Sequence, residues 1–380
     1  MAGFATKSIH SGRQITDNYV VQPLIMTSTF LQNGPNDFEK YCYGRDDNPN
    51  RYYLENCLAA LENAKYAQVF SSGTGATTAL MSLLKSGDHI VSGDSLYGGT
   101  HEYFKKYLPG INVEVTEVDA RDDSAIERAV LPNTKMIWLE SPTNPLMRLT
   151  DIKAVCDKVK RSNPNAMIVV DNTFLTCYYQ KPLELGADAT SYSVTKYING
   201  HSDVIMGAVV TNNKDIADKL KLAQKAMGII PSPFDCSLVC RSLKTFELRM
   251  QQHMKNGLSI AAFLEKHPLV DKVLHPYMPS HPQYELSLRQ TTGHSGMISI
   301  YIKGDSHKFL KALKIFSLAE SLGGVESLAK LPYLMSPPEI PAEELARLKI
   351  NEKLIRLSIG IETDSDLIKD LEQALIASMK

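Results

Sequence analysis

Short apolar runs recur from about residue 65 to residue 211 and alternate with segments of helical length. Several runs are almost continuously apolar, as expected of strands that are buried on both faces. The runs are AQVF (67–70), DHIVS (88–92), VEVTEV (113–118), KMIWLE (135–140), MIVVD (167–171), ATSYSV (189–194) and DVIMGAVVT (203–211). Helical patterns such as LTDIKAVCDKVKRS lie between them, with Thr150 in position to cap that helix. The alternation predicts a mainly parallel, doubly wound α/β sheet.

The two flanks of this region have different patterns. Residues 1–45 are rich in turn-forming and polar residues without periodicity, which predicts an arm that lies on another surface. After about residue 245, a long amphipathic stretch precedes two alternating strand patterns and a closing helical pattern. We therefore predict an arm at 1–45, a large domain at 46–245 and a smaller C-terminal α+β domain at 246–380.

Composition narrows the possible partners and the compartment. The chain of 380 residues carries a formal net charge of −1 without a run of like charges, so it indicates neither a nucleic-acid nor a membrane partner. No apolar run approaches the roughly 18 residues of a membrane span. The first residues lack a secretory signal pattern, and the six cysteines form no CxxC pair. Free, buried thiols and a cytoplasmic location are the expectation.

Candidate chemistry lies where the predicted strands end, because ligands of open parallel sheets bind beyond the carboxyl ends of the strands. The first strand is followed by SSGTGATT, in which Gly73 and Gly75 permit a tight turn into a helix that begins near Ala76. Such a helix N-terminus is a natural anion site. A plain turn from strand to helix remains the alternative, and the absence of a Gly-Lys-Ser/Thr sequence argues against a P-loop.

An acid and an amine follow two neighbouring strands. Asp171 ends an apolar run, where a carboxylate is costly unless it is paired with a cation. It is interpreted either as a helix cap or as the counter-ion of a protonated ligand nitrogen. Lys196 lies between two apolar segments, and the loss of hydration favours its neutral, nucleophilic form.

Four further side chains complete the set at this edge of the sheet. Ser193 and Thr195 are on one face of a strand, where they can join the helix N-terminus in holding a phosphate. Tyr97 in SLYGGT offers a ring for stacking, or is simply a surface tyrosine, and Asn144 lies in the rigid turn SPTNP. A phosphate site, a stacking surface, a partner for a pyridinium and an amine for an aldehyde together describe pyridoxal 5′-phosphate.

These segments also resemble a known family. The pattern SxxTKYxNGHSDVxxG, with VDNTF and SPTNP before it, resembles the Cys/Met-metabolism family of pyridoxal-phosphate enzymes, which has the aspartate-aminotransferase-like type I fold. The resemblance extends from FATKSIHSG to LIRLSIGIE. Within the family, the segments PSPFDC and SGMISIYIKG are most similar to animal enzymes that catalyse γ-elimination of cystathionine.

The resemblance implies a role for each residue. Lys196 would hold the cofactor as a Schiff base and move protons, with Tyr97 stacked on the ring and serving as a second acid or base. The other implied cofactor contacts are Asp171 to the ring nitrogen, Asn144 to the ring hydroxyl, and Gly73, Thr74, Ser193 and Thr195 to the phosphate.

The resemblance also implies substrate contacts and an assembly. Arg356 and Ser321 would bind the substrate α-carboxylate, with Asn144 and Tyr43 nearby and Glu320 facing the distal part. From the residues alone, the preferred interpretation of Arg356 is an edge-strand arginine with its head in water. Tyr43 and Arg45 would reach the phosphate of a neighbouring subunit in a homotetramer.

The implied reaction converts cystathionine to cysteine, 2-oxobutyrate and ammonia, and the same groups could release hydrogen sulfide from cysteine. The alternatives are γ-replacement on an acylated homoserine, γ-elimination from methionine and a non-catalytic binding protein of the same fold. Gly99 stands where methionine γ-lyases have a cysteine. The ten histidines show no metal-binding spacing, so no metal site is predicted.

Three departures from the family pattern bear on the substrate. Glu102 stands where animal members have an arginine, which predicts repulsion between Glu102 and Glu320. Asp46 and Asp47 adjoin Arg45. Three prolines, namely Pro337, Pro338 and Pro341, would stiffen the loop that we expect to border the carboxylate site.

Overall fold

Two β-sheets, each covered by helices, organise the chain. The computed structural model describes residues 2–13, 18–335 and 342–380. The strands are β1 Tyr66–Phe70, β2 His89–Gly93, β3 Glu114–Val118, β4 Thr134–Glu140, β5 Met167–Asp171, β6 Ala189–Ser193, β7 Gly207–Thr211, β8 Val270–Leu274, β9 Met297–Ile302, β10 Ser317–Leu318, β11 Leu328–Lys330 and β12 Leu354–Ser358. The helices are α1 Phe4–His10, α2 Pro49–Leu61, α3 Gly73–Met81, α4 Gly98–Lys106, α5 Asp123–Ala129, α6 Ile152–Ser162, α7 Thr176–Tyr179, α8 Lys214–Ala226, α9 Pro233–Leu243, α10 Phe246–Glu265, α11 Tyr284–Gln290, α12 Ser306–Ala312, α13 Pro332–Met335, α14 Ala342–Leu348 and α15 Asp364–Ala377, with a short 3₁₀-helix at Leu108–Ile111.

The first sheet has the strand order β1-β7-β6-β5-β4-β2-β3, and β7 alone runs against its neighbours. The connection from β6 to β7, residues 194–206, consists of turns and contains no helix, so the chain reverses its direction instead of crossing over. The predicted mainly parallel α/β sheet is confirmed. The predicted strand at 203–211 began too early, because Met206 pairs with Thr195 inside this connection and β7 starts at Gly207.

The sheet is buried on both faces. Trp138 of β4 packs on one face in a cluster with Leu80 of α3, whereas its neighbour Ile137 packs on the other face with Val155 of α6. All four side chains are fully buried. A strand that packs on both faces needs apolar residues at consecutive positions, which explains the uninterrupted apolar runs of the sequence.

Two helices start at residues other than those predicted. The side chain of Asp151, not that of Thr150, caps α6 by accepting a hydrogen bond from Ala154 N at 3.0 Å. Helix α3 begins at Gly73 rather than near Ala76, because Ser72 Oγ accepts a hydrogen bond from Gly75 N at 2.9 Å and fixes the first turn.

The second sheet has the strand order β10-β11-β12-β9-β8. The long helix α10 leads into it, and buried side chains of α10, α12 and α15 cover it in a separate apolar cluster. The two sheets occupy residues 66–211 and 270–358, and the domain boundaries at 45 and 245 stay predictions.

The N-terminal segment divides into two parts. Helix α1 packs on its own chain, with the ring of Phe4 at 4.9 Å from Tyr178 and 5.8 Å from Phe246. This part of the predicted arm therefore contacts helices α7 and α10 of its own chain. Residues 18–48 instead have little regular structure and expose apolar side chains, including Val20 at 92% and Leu31 at 99%.

Two expectations from composition can be checked directly. All six cysteines are free thiols, and five of them are buried while Cys42 is partly exposed. Among the described residues, no helix combines the length and the apolar character that crossing a membrane requires.

Candidate active site

A cavity of about 1210 Å³ lies at the carboxyl ends of the parallel strands and is closed on one side by the second sheet. It brings together residues that are far apart in the sequence, as the rule for open parallel sheets predicts. The predicted site residues that line it are Gly73, Thr74, Tyr97, Asn144, Asp171, Ser193, Thr195, Lys196, Glu320, Ser321 and Arg356.

One end of the cavity is suited to an anion. Ser72 Oγ engages the third amide of α3, and the amides of Gly73 and Thr74 at the wall of the cavity lack intrahelical partners. The turn lies directly on the sheet, because a Cβ on Gly207 would come within 2.2 Å of Ser72 O. Gly73 also packs closely, since its Cβ would lie 3.1 Å from that of Ser193.

Ser193 and Thr195 contribute unequally to this end. Ser193 ends β6 beside the turn, and its backbone N–H donates to Thr173 Oγ1 at 2.9 Å. The Thr195 hydroxyl donates to Met206 O at 3.2 Å and accepts from Met206 N at 2.9 Å. Because the hydroxyl proton of Thr195 is engaged within the turn, Ser193 is the better placed donor for a phosphate.

Lys196 lies in the connection between β6 and β7. Its Nζ donates a hydrogen bond to Ser321 Oγ at 2.6 Å. Burial, followed by the positive charge of Arg356, lowers the pKa of Lys196 from 10.5 to about 8. The amine is therefore neutral over a wider pH range than that of a surface lysine.

Ser321 reaches Lys196 through a strained loop. Its backbone has φ of 80°, in the left-handed region that residues with a side chain seldom adopt. Two residues later, Gly323 has φ of 78°, and a Cβ there would come within 2.7 Å of Tyr197 N. Ser358 holds the loop by accepting a hydrogen bond from Gly323 N at 2.8 Å.

A second buried acid, which we did not predict, lies beside Asp171. Glu140 is paired with Asp171 in the register of β4 and β5. Its two oxygens accept hydrogen bonds from the backbone N–H groups of Tyr97 at 2.7 Å and Asn144 at 2.8 Å. One carboxylate thus positions two of the predicted cofactor contacts. The sequence signal was present, since KMIWLE ends in an acid just as MIVVD does.

Asp171 is placed to neutralise a cation in the cavity. Its Oδ1 accepts a hydrogen bond from Thr173 N at 3.0 Å. Burial raises the pKa of Asp171 despite this bond, and burial together with the charge of Asp171 raises the pKa of Glu140. A protonated ring nitrogen at this position would offset the cost of the buried negative charge.

The surroundings of Tyr97 decide whether its hydroxyl can act as an acid or as a base. A base at this position needs a nearby cation that lowers the pKa of the hydroxyl. Burial and the charges of Glu320 and Glu140 instead raise the pKa of Tyr97, and they outweigh the opposite effect of Arg356. The half-exposed ring can still stack on a planar group, and the hydroxyl is suited to donating a proton rather than removing one.

Arg356 points into the cavity and not into solvent. It lies on β12, an interior strand, and is 4% exposed. Its Nη1 donates to Asn144 Oδ1 at 3.1 Å and its Nη2 to Ser321 O at 2.6 Å, while its buried Nε has no hydrogen-bond partner among the described residues. The edge-strand interpretation is wrong, and a fixed guanidinium with an unused N–H is suited to binding a carboxylate.

Tyr43 and Arg45 are not brought to this cavity by their own chain. Arg45 Nη1 donates to Lys225 O at 2.9 Å, and Tyr43 is 45% exposed. The neighbouring acids do not pair with Arg45, because Asp46 lies 3.0 Å from Lys225 Nζ and Asp47 lies 3.5 Å from Lys221 Nζ.

The expected repulsion between Glu102 and Glu320 is also corrected. Glu102 lies 3.0 Å from Lys106 Nζ, one turn further along α4. Glu320 lies 2.8 Å from Lys330 Nζ on β11. Each acid therefore has its own lysine. The three prolines at 337, 338 and 341 lie outside the described residues.

One group of potential metal ligands occurs among the described residues, and two of its members, His101 and Glu344, line the cavity. Ligand atoms of His101, Glu117 and Glu344 lie within 4.8 Å of one another. Lys105 Nζ lies 2.8 Å from Glu117, so this carboxylate already forms an ion pair with a lysine. We propose no metal there.

The fold and the cavity together define the class of protein. An anion site at a helix N-terminus, an acid for a ring nitrogen, a ring for stacking and a half-buried lysine fit pyridoxal 5′-phosphate, and the fold is that of the type I enzymes that use it. The sequence model described as "Cys/Met metabolism PLP-dependent enzyme" matches residues 5–376, and the chain belongs to this family.

Known relatives cover nearly the whole chain. Cystathionine γ-lyase of Rattus norvegicus is 46% identical over 99% of this chain and 96% of its own. Cystathionine γ-lyase of Dictyostelium discoideum is 48% identical over 97% of both chains. The crystal structure of cystathionine γ-lyase from Lactobacillus plantarum complexed with L-serine superposes with a TM-score of 0.96 at 38% identity, over 99% of both chains.

Proposed function

We propose that this protein catalyses the elimination of the γ-substituent of cystathionine and forms cysteine, 2-oxobutyrate and ammonia. The observation that carries the proposal is the placement of Lys196, with its lowered pKa, 2.6 Å from Ser321 Oγ and beside the fixed guanidinium of Arg356. An amine that can move protons is thereby adjacent to the group that orients an amino-acid carboxylate. The relatives named cystathionine γ-lyase support the same substrate.

Residue roles follow from the contacts. Pyridoxal 5′-phosphate, when bound, supplies a carbonyl for the substrate amine and a ring that accepts electrons. Lys196 would hold it covalently, and its free amine would take up and return protons at the substrate carbons. Asp171 would keep the ring nitrogen protonated, and the protonated Tyr97 would donate a proton to the departing sulfur. Arg356 fixes the α-carboxylate, which positions the Cα proton near Lys196.

The cofactor contacts are completed by residues at its two ends. The anion end consists of Gly73, Thr74 and Ser193, with Thr195 supporting the turn. Asn144 would contact the ring hydroxyl, while its side-chain oxygen accepts a hydrogen bond from Arg356 Nη1. These roles are tested by reducing the protein with borohydride: the cofactor should become fixed to Lys196, and Lys196→Ala should lose both the label and the yellow absorbance.

The reaction is tested by product analysis. Cystathionine, cysteine, homocysteine and methionine are incubated separately with the protein, and 2-oxobutyrate, pyruvate and hydrogen sulfide are measured. We expect 2-oxobutyrate from cystathionine, and hydrogen sulfide from cysteine at a lower rate. If cystathionine gives no product, while an acylated homoserine and cysteine are condensed, γ-replacement is the function and the proposal is wrong.

We also propose a cytoplasmic homotetramer in which Tyr43 and Arg45 enter the site of a neighbouring subunit. The exposed apolar side chains of residues 18–48 support a covered surface in the assembly. The six free thiols support a reducing compartment. The mass measured by light scattering and the cell fraction that contains the protein test the two parts separately.

A further inference from the structure

The turn at residues 43–47 is held by its own chain. The backbone N–H groups of Asp46 and Asp47 donate to Tyr43 O at 2.9 and 3.1 Å and close the turn. The buried guanidinium of Arg51, on α2, donates to two further carbonyls of the turn at 3.1 Å each. The backbone of the turn therefore has a defined position on α2.

The two acids of this turn face two lysines of α8. Asp46 Oδ2 lies 3.0 Å from Lys225 Nζ, and Asp47 Oδ1 lies 3.5 Å from Lys221 Nζ. The lysines are four residues apart and therefore share one face of the helix. Asp47 also lies 3.8 Å from a guanidinium nitrogen of Arg51. Each carboxylate thus has a cation within its own chain, and the turn is held from α8 as well as from α2.

Tyr43 and Arg45 are the side chains that this turn exposes. Tyr43 is 45% exposed, and the guanidinium carbon of Arg45 lies 5.5 Å from the centre of its ring. Arg45 Nη1 donates to Lys225 O at 2.9 Å, at the last turn of α8. A guanidinium carries several N–H groups, so this bond leaves donors for an anion outside the chain.

Two acids next to such an arginine would ordinarily oppose anion binding. A carboxylate paired with Arg45 would compete with a phosphate for the guanidinium, and a free carboxylate nearby would repel the phosphate. Neither effect operates here, because Asp46 and Asp47 are turned toward α8 and each is offset by a lysine. The acids leave the guanidinium unoccupied by a carboxylate and hold the backbone that carries it.

We propose that Asp46 and Asp47 are positioning residues that hold Tyr43 and Arg45 outward for the cofactor phosphate of a neighbouring subunit. The inference rests on the homotetramer of the proposed function. A turn that is already ordered loses less conformational freedom when its arginine binds a phosphate, so the cofactor binds more tightly. The acids would therefore act through Arg45, and in a site that belongs to another chain.

The first experiment measures the dissociation constant of pyridoxal 5′-phosphate by equilibrium dialysis of cofactor-free protein. Asp46→Asn and Lys225→Gln should each raise it about two- to fivefold, the size of a partly exposed ion pair. The two changes together should exceed neither alone by more than about twofold, because they break the same pair. Asp46→Glu should keep the affinity of the wild type.

An ion pair on the same helix provides the matched control. Asp218→Asn removes the partner of Lys214, 2.6 Å away at the start of α8, and should leave the dissociation constant unchanged. Arg45→Ala should raise it about 10- to 100-fold, since it removes a charge-assisted hydrogen bond. The double variant Asp46→Asn/Asp47→Asn should raise it about tenfold.

The second experiment asks which subunit the acids serve. Asp46→Asn/Asp47→Asn is refolded with an excess of Lys196→Ala, dialysed against cofactor near the wild-type dissociation constant and reduced with borohydride. Only chains with Lys196 can be labelled, and in mixed pairs their sites receive an intact turn from the other chain. Labelling should rise from the low level of the double variant to that of the wild type. It should stay low when the Lys196→Ala chain carries both Asn substitutions as well.

The outcomes separate this inference from the proposed assembly. Unchanged cofactor affinity in the Asp46 and Asp47 variants, with a loss in Arg45→Ala, would overturn the inference alone. Labelling that stays low in the first mixture, although mixed oligomers are present, would also overturn it, because the acids would then act within their own chain. Wild-type affinity in Arg45→Ala would overturn the proposed exchange between subunits, and this inference with it.

Discussion

The amine of Lys196 is set by its surroundings to act near neutral pH. The shift of its pKa from 10.5 to about 8 means that the folded protein binds fewer protons than the unfolded chain between these two pH values. The free energy of unfolding of the cofactor-free protein should therefore rise with pH across that window. The same shift makes the amine available for reaction with an aldehyde.

We expect the rate at which cofactor-free protein captures pyridoxal 5′-phosphate to rise with pH and to level off above about pH 8, because the neutral amine is the nucleophile. Stopped-flow absorbance measures this rate. Glu320 raises and Lys330 lowers the pKa of Lys196. Glu320→Gln should therefore move the midpoint to lower pH and Lys330→Gln to higher pH. A midpoint near 10.5 in the wild type would contradict the assignment.

Glu140 should be required for the position of Tyr97 and Asn144. In Glu140→Gln, an amide NH₂ would face one of the two backbone N–H groups that the carboxylate now binds, leaving a buried donor without a partner. We expect a loss of about 1–3 kcal/mol in the free energy of unfolding, measured in urea, together with a lower kcat/KM.

Glu55→Gln is the matched control for this variant. Glu55 is also a buried carboxylate that accepts a backbone N–H, from Val69 at 3.1 Å, but it does not line the cavity. Glu55→Gln should destabilise the protein to a similar extent and leave kcat/KM within about twofold of the wild type. Equal effects of both variants on activity would mean that Glu140 acts only through stability.

For single residues, the sequence identified those whose role can be inferred from the residue type and the residues next to it. Asp171 and Lys196 were predicted because each follows an apolar run, where a charged side chain is costly unless it has a partner. Lys330 was not predicted, since its partnership with Glu320 depends on strand register. The same was true of the unequal roles of Ser193 and Thr195, because a hydroxyl proton can be directed to a ligand or to the backbone.

Among the elements, α3 is the one whose first turn should affect the cofactor. Ser72→Ala removes the hydrogen bond to Gly75 N and should cost about 1 kcal/mol of stability. Because the same turn presents the amides at the anion end, the dissociation constant of the cofactor should also rise several-fold. Equilibrium dialysis and urea unfolding measure the two effects.

Asp305→Ala gives the corresponding change in a helix that covers the second sheet. Asp305 caps α12 by accepting a hydrogen bond from Lys308 N at 3.0 Å, and it does not line the cavity. A similar loss of stability with unchanged cofactor affinity is expected. If both caps weaken cofactor binding equally, α3 has no special role.

The elements themselves were largely predictable, because apolar runs and helical periods report burial. Errors occurred where hydrogen bonds, not burial, decide the outcome. The run before Gly207 is apolar and was assigned to a strand, yet Met206 pairs with Thr195 in the connection that carries Lys196. Thr150 and Asp151 are both good helix caps, and only the geometry selects Asp151.

For the whole molecule, the decisive question is whether Arg45 serves the site of another subunit. We expect mixtures of Lys196→Ala and Arg45→Ala, refolded together, to regain activity. A mixed pair contains one site with an intact Lys196 that receives an intact Arg45 from the other chain. The other site of the pair lacks both residues.

Two controls interpret this mixture. Each variant refolded alone should have little activity. Lys196→Ala mixed with Asp171→Asn should stay inactive, because both residues line the cavity of one chain and no exchange can rebuild it. If the first mixture stays inactive while mixed oligomers are present, Arg45 does not act across an interface.

Gly207 determines how closely the first turn of α3 approaches the sheet. A methyl group at this position would displace Ser72, since its carbon would come within 2.2 Å of the carbonyl oxygen of Ser72. The anion end, at the first turn of α3, would move away from the sheet, while Lys196 would stay on the connection that leads into Gly207. The distance between the anion end and the amine of Lys196 therefore depends on the absence of a side chain at residue 207.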